Sequence, residues 1–158
     1  MTEIIPIEKT IGIISDTHGR LPVSVFTIFK GVDLIIHAGD VGLSEILIEL
    51  ETIAPVYAVY GNVDGWDLRS QLKAVRQIHM NGYTLVVSHV PVKPDKIDYK
   101  QGLIKIYGHT HYPEIRHNGK EMVINPGSAS EPRNKKKPSV VTLQIRDGLP
   151  PKADIIYF

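Results

Sequence analysis

Ile11-Gly12-Ile13-Ile14-Ser15-Asp16-Thr17-His18-Gly19 is the stretch from which the fold can be read. Its first five residues form a nearly continuous apolar run, the pattern of a strand covered on both faces. The run stops at a polar turn, Asp16-Thr17-His18-Gly19. Leu21 to Lys30 then carries apolar residues at 21, 25, 28 and 29, the spacing of a helix docking on a sheet, and Gly31 ends it. The unit repeats. Asp33 to His37 reads as a second buried strand ending in Ala38-Gly39-Asp40, and Leu43 to Ile53 as a second helix with Ser44 as its N-cap. Pro55 to Tyr60 is a third strand, closing on Gly61-Asn62-Val63-Asp64-Gly65. This β-α-β-α-β pattern predicts a parallel sheet with right-handed crossovers. Ligands of such sheets bind at the carboxyl ends of the strands, where all three loops lie.

The second half changes character. Ala74 to Met80 and Tyr83 to Val87 flank Asn81-Gly82, the signal of a tight hairpin. Ser88-His89 ends that run. Leu103 to Tyr107 is another buried strand and leads into Gly108-His109-Thr110-His111, whose two histidines point the same way if the segment is extended. Glu121 to Ile124, Ser139 to Ile145 and Ala153 to Tyr157 complete the strands, and Asn125-Pro126-Gly127-Ser128 reads as a turn. Short strands separated by turn residues predict a second, mostly antiparallel or mixed sheet facing the first, with helices outside. Val90 to Gln101 is the longest irregular stretch and is expected to be a surface loop near the site.

With 158 residues the chain fits one domain, residues 1–158, and can bury a proper core. A net charge of +1 argues against a protein built to coat nucleic acid or an anionic membrane. There is no cysteine, so disulfides and thiolate metal sites are excluded. Met1 to Lys9 carries two acids and no sustained apolar run, unlike a secretory signal. No run approaches the roughly 18 apolar residues that span a bilayer. A cytoplasmic protein with neither a membrane nor a stable nucleic-acid partner is expected. Homo-oligomerisation stays open.

The strand ends gather Asp16, His18, Asp40, Asn62, His89, His109 and His111: two carboxylates, four imidazoles and one amide. Seven side chains are too many for one centre that also keeps an open position; they suit two ions if one carboxylate bridges. Two divalent cations against two aspartates leave a positive cleft that attracts phosphate. Such ions, about 3.5–4 Å apart, can share a water and lower its pKa toward 7. Nitrogen and oxygen donors without thiolate suit Mn²⁺, Fe²⁺, Ni²⁺ or Zn²⁺ better than Ca²⁺.

The ordered series Asp16-x-His18, Gly39-Asp40, Gly61-Asn62, His89 and Gly108-His109-x-His111 resembles the calcineurin-like metallophosphoesterase superfamily. The small size, with Asn125-Pro126-Gly127-Ser128 and Pro132-Arg133, is similar to its compact prokaryotic phosphodiesterase branch. The resemblance runs from about Ile11 to Val141. It implies an α/β fold, a two-sheet αββα sandwich, and a phosphoesterase with two divalent ions, Mn²⁺ first among them, acting on small-molecule phosphoesters. By the same resemblance Asp16, His18 and His111 would hold one ion, Asn62, His89 and His109 the other, and Asp40 would bridge them.

One position departs from the pattern. Many members have histidine after the Gly-Asn pair, where it can protonate the leaving group, and here that residue is Val63. Asp64, His37 or a metal-bound water could substitute, which makes Asp40, Asn62, His89 and Asp64 the expected catalytic set. Without a general acid, leaving groups that are already acidic, such as nitrophenolate, should depart far more readily than alkoxides. His37 itself is expected to be a hydrogen-bonded structural histidine. The alternative function is a non-catalytic scaffold of the same fold that binds proteins, as a retromer subunit does, but a pure scaffold has no reason to keep all seven ligand positions.

Overall fold

The computed structural model describes residues 8–93 and 97–158. Most of the Met1 to Lys9 segment and the middle of the Val90 to Gln101 stretch thus lie outside the described residues. In chain order the elements are β1 (Glu8–Ile14), α1 (Ser24–Ile28), β2 (Leu34–His37), α2 (Ser44–Glu51), β3 (Val56–Ala58), α3 (Trp66–Gln71), β4 (Val75–Met80), β5 (Tyr83–Ser88), β6 (Gly102–Ile106), β7 (Pro113–Asn118), β8 (Glu121–Pro126), β9 (Ser139–Arg146) and β10 (Lys152–Tyr157). They build an α/β sandwich of two five-stranded sheets, ordered β10-β9-β1-β2-β3 and β4-β5-β6-β8-β7.

The parallel core is as expected: β1 pairs with β2 and β2 with β3, Ile11 opposite Leu34 and Ile36 opposite Tyr57. The last two strands, expected in the second sheet, instead extend the first. β9 runs antiparallel to β1, with Ile11 opposite Leu143, and β10 follows at the edge. The alternation of Val140, Val141, Leu143 and Ile145 shows that β9 is a strand, but nothing local in it names a partner. The second sheet is mixed: β5, β6 and β8 are parallel, while β4 and β7 run antiparallel at its edges. The hairpin between β4 and β5 turns at Asn81 (φ 49°) and Gly82 (φ 81°), both left-handed, as a type I′ turn demands.

Two apolar layers hold the sandwich. Between the sheets, Ile11, Ile13 and Ile36 meet Leu85, Val87, Ile104, Ile106 and Ile124. On the outer face of the first sheet, Ile14, Ile35 and Val140 are covered by Val25 and Phe29 at α1, Leu50 of α2 and Leu68 of α3. Each such side chain stabilises the fold by about 1.5–3 kcal/mol. Among the described residues no helix lies over the outer face of the second sheet.

Local signals misplace several boundaries. The first helix is five residues rather than Leu21 to Lys30, because Pro22 holds the entry outside it and the chain turns at Gly31 (φ 82°). In α2 the N-cap is Leu43, with no side-chain cap bond, and Ser44 is already helical. Asn125 and Pro126 are the end of β8, so the turn starts at Gly127 (φ 76°). Two elements escape the pattern altogether. α3 has six residues and one buried side chain, Leu68, and β7 is a polar edge strand.

Phe29, fully buried under the first sheet, tests the outer layer. Phe29→Ala should lower unfolding free energy by about 3–5 kcal/mol. Urea titration followed by circular dichroism measures it, and a change under 1 kcal/mol (roughly the scale of a surface substitution) would contradict this packing.

Candidate metal centre

The loops after β1, β2, β3, β5 and β6 converge because their backbones bond to one another. Asp16 N–H donates to Gly39 C=O, His18 N–H to Asp40 C=O and Gly108 N–H to His89 C=O, each at 3.0 Å. Five candidate ligands, Asp16, His18, Asp40, His109 and His111, have positive φ between 48° and 69°. Such conformations are uncommon outside glycine and persist where surrounding contacts over-determine them. The glycines ahead of the ligands allow the approach. A Cβ on Gly61 would stand 2.0 Å from Asp40 Oδ1, and one on Gly108 2.0 Å from Ser15 Oγ.

The result is two ligand groups. Asp16, His18 and His111 present one donor atom each within 4.8 Å of one another, and so do Asp40, His89 and His109. Asn62 joins the second through Oδ1, 3.1 Å from His109 Nδ1. Asp40 Oδ2 lies 3.1 Å from His89 Nε2 and 3.8 Å from His18 Nε2, between the groups. Asp16 Oδ1 is 3.2 Å from His111 and 3.9 Å from His89. All seven expected ligand positions are therefore brought together, with Asp16 fully buried and Asn62 and His109 exposed at the open side.

Whether this arrangement suits metal ions can be read from its proton positions. His89 Nδ1 donates to Ala38 C=O at 2.8 Å and His111 Nδ1 to Glu131 C=O at 2.6 Å. With Nδ1 engaged by a carbonyl, each ring turns Nε2 inward, the orientation of a metal-binding histidine. His111 Nε2 faces both Asp16 Oδ1 and, at 3.3 Å, His18 Nε2. Asp16 Oδ1 and His89 Nε2 are buried without a hydrogen-bond partner. Lone pair against lone pair at these distances is repulsive unless a proton or a cation sits between them. The donor set fits divalent cations.

The titration tendencies show what these buried groups do to one another in the absence of a cation. Burial pushes the Asp16 carboxyl above its usual range, against the pull of the Ser15 hydroxyl and the histidines. For Asp40 burial works the same way, but the His89 contact and the Val63 amide outweigh it and hold the carboxyl below its usual range. Burial would lower His89, yet Asp40 and the Ala38 carbonyl outweigh it and raise it.

Other positions frame the centre. Asp64, 3% exposed, accepts the N–H groups of Val41 (3.2 Å), Gly42 (2.9 Å) and Gly61 (2.8 Å). His37 is fully buried; its Nδ1 accepts Gly39 N–H at 3.1 Å and its Nε2 bonds Thr17 Oγ1 at 3.0 Å, which bears out its structural reading. Sequence reasoning passed over Thr17 and Ser130 and read Ser128 only as part of a turn motif; the hydroxyls of Ser128 and Ser130 donate to Asp16 C=O at 2.8 and 3.2 Å. Ser128 is separated from Asp16 by 112 residues, and no spacing in the chain pairs them. Asn125 donates to Gly108 C=O at 2.9 Å and Thr110 Oγ1 at 3.0 Å.

Residues 10–148 match the calcineurin-like phosphoesterase superfamily domain, and the chain belongs to that superfamily. It is 39% identical over 158 residues to a probable metallophosphoesterase of Methanothermobacter thermautotrophicus, an alignment covering 92% of this chain and 91% of the relative. It is 31% identical over 142 residues to a phosphodiesterase of Methanocaldococcus jannaschii, covering 74% and 82%. In fold it is similar to wild-type Vps29 of Entamoeba histolytica, a structure complexed with Zn²⁺, at a TM-score of 0.71 and 20% identity over 94% of this chain and 98% of the other. Among the described residues no helix is long and apolar enough to cross a membrane.

Gly61→Ala, whose Cβ would also stand 2.3 Å from the Asp40 backbone nitrogen, should displace Asp40 and weaken divalent-cation binding about 10–100-fold, the scale seen when support around a metal ligand is removed; calorimetric titration with Mn²⁺ measures it. His37 supplies a pH test. Burial lowers its pKa from 6.5 to about 3, because an imidazolium would turn an N–H against that of Gly39. Between those values the unfolded chain binds the proton and the folded one does not, so stability is lost as pH falls from 6.5 toward 3, by at most about 5 kcal/mol. In the metal-free protein, the drop in urea midpoint from pH 7 to 4.5 should be smaller in His37→Gln than in the parent. Parallel drops would contradict the assignment.

Proposed function

We propose that this chain is a di-metal phosphodiesterase acting on small-molecule diesters, with Mn²⁺ as the working ion. The observation that carries the reading is the pair of ligand groups meeting at Asp40, with every ligand position filled. Asp16, His18 and His111 would hold one ion, Asn62, His89 and His109 the other, with Asp40 shared. Bound there, two divalent ions supply Lewis acidity at the phosphoryl oxygens and a nucleophile near neutral pH.

The chain's own residues do the positioning. The carbonyls of Ala38 and Glu131 fix the rings of His89 and His111, and Ser15 together with the His109 amide, at 2.6 and 3.1 Å, holds Asp16 Oδ2. Asn62 and His109, at the exposed side, meet an entering phosphate first. Asp64 is more useful as the clamp joining the Val41-Gly42 and Gly61 backbones than as an acid, since both its oxygens already face amide donors. His37 is turned toward Thr17 and Gly39. Leaving-group protonation by a side chain is therefore weak in this enzyme.

A second reading, a partner-binding scaffold, draws on the exposed apolar side chains beside the cleft: Leu43 is 52% and Val63 55% exposed. One experiment separates the two. Bis(p-nitrophenyl) phosphate and p-nitrophenyl phosphate are assayed after chelation, after Mn²⁺ add-back, and with Asp40→Asn. The expected outcome is Mn²⁺-dependent turnover, diester ahead of monoester, reduced at least about 100-fold in the variant, as loss of a group central to catalysis does. Ethyl p-nitrophenyl phosphate should release nitrophenolate and no measurable ethanol. Absence of turnover with Mn²⁺, Ni²⁺ and Zn²⁺ alike would favour the scaffold.

A further inference from the structure

A cavity of about 270 Å³ opens against the second ligand group, with Asn62 and His89 in its wall. The rest of its wall is chiefly Tyr60, Val75, Val90 and Val92. Val75 and Val90 are 38% and 44% exposed, although both are apolar and Val90 directly follows a ligand. Nothing in the fold needs them there: neither belongs to the layer between the sheets or to the layer under the helices. The one cation in the wall is already engaged. Arg69 donates to Asp64 C=O at 2.7 Å and Asn62 C=O at 3.1 Å, and its guanidinium lies 4.9 Å from the centre of the Tyr60 ring. It stiffens the floor of the cavity and its polar edge is turned to the loop.

We infer that this cavity is a leaving-group subsite that seats a single aromatic ring of a phosphodiester. The inference rests on the phosphoesterase reading and adds the substrate class to it. The chemistry agrees on three counts. An apolar space of about 150 Å³ holds benzene, so this one has room for one ring and its substituents. A ring beside Tyr60 and the valines is removed from water, while its phosphate stays at Asn62 and His89. When the P–O bond of an aryl phosphodiester breaks, the departing phenolate carries the electron pair as a stabilised anion, which suits a site without a proton-donating side chain near the leaving group.

Phenylphosphonate and methylphosphonate, which cannot turn over, test this by calorimetric titration into the Mn²⁺-loaded protein. The phenyl compound should bind about tenfold more tightly, the scale of burying one ring face. Val75→Asn with Val90→Asn should cut that preference to about twofold while leaving methylphosphonate affinity unchanged; Val90→Asn alone should give an intermediate value and keeps the test valid if the double variant does not fold. Trp66→Ala, at a residue 83% exposed and outside the cavity, should keep the full preference. Equal binding of the two phosphonates, a preference that survives the double variant, or one lost in Trp66→Ala would overturn the subsite and leave the phosphoesterase intact. Binding of Mn²⁺ but of neither phosphonate would overturn both readings together.

Discussion

A carboxylate with no solvent exposure organises this protein. Asp16 is reached by the Ser15 hydroxyl and the His109 amide on Oδ2, while Oδ1 has no hydrogen bond and three imidazoles around it. A buried charge is costly unless it is paired or coordinates a cation. The loops that meet at Asp16 supply what pairing the protein itself offers, and the atoms left over define where a cation belongs.

That requirement propagates outward through the backbone. Bringing His18, Asp40, His109 and His111 to the same point puts them all in left-handed conformations, and the ladder between the first two loops holds them there. Ser128 and Ser130 reach in from the segment after β8 to take the Asp16 carbonyl. Asp64 and His37 serve the same end from below, one by gathering three amides and the other by staying neutral beside Gly39. The polar residues buried around the centre are thus a support for strained loops, and the two apolar layers beneath give those loops a rigid base.

The cleft is asymmetric. Around Asn62 and His89 its wall is apolar, with Tyr60 braced by Arg69. Around His111 it is polar and basic: Tyr112 bonds Asn134 and lies under the Lys136 ammonium at 5.4 Å. A substrate with a flat apolar group on one side of its phosphorus and a polar group on the other matches that division. The two ligand groups lie between these flanks.

Much of the site was legible because its parts are local. Every ligand lies in a short turn that follows an apolar run, the glycines at 39, 61 and 108 sit one residue ahead of a ligand, and a period of two or of about 3.6 identifies most strands and helices. The sequence by itself therefore determined the parallel β1-β2-β3 core, the strand ends as the meeting place of the candidate ligands, and the identity of those seven side chains. What it could not determine is whatever depends on which segments touch. That β9 and β10 join the first sheet, that Ser128 serves Asp16, that Asp64 faces three amides and not the cleft, and that Val75 and Val90 share one cavity are facts of tertiary contact. Side-chain periodicity records which face of an element is buried, but a backbone hydrogen bond carries no residue code for its partner, so pairing across the chain is decided only when the whole sandwich closes.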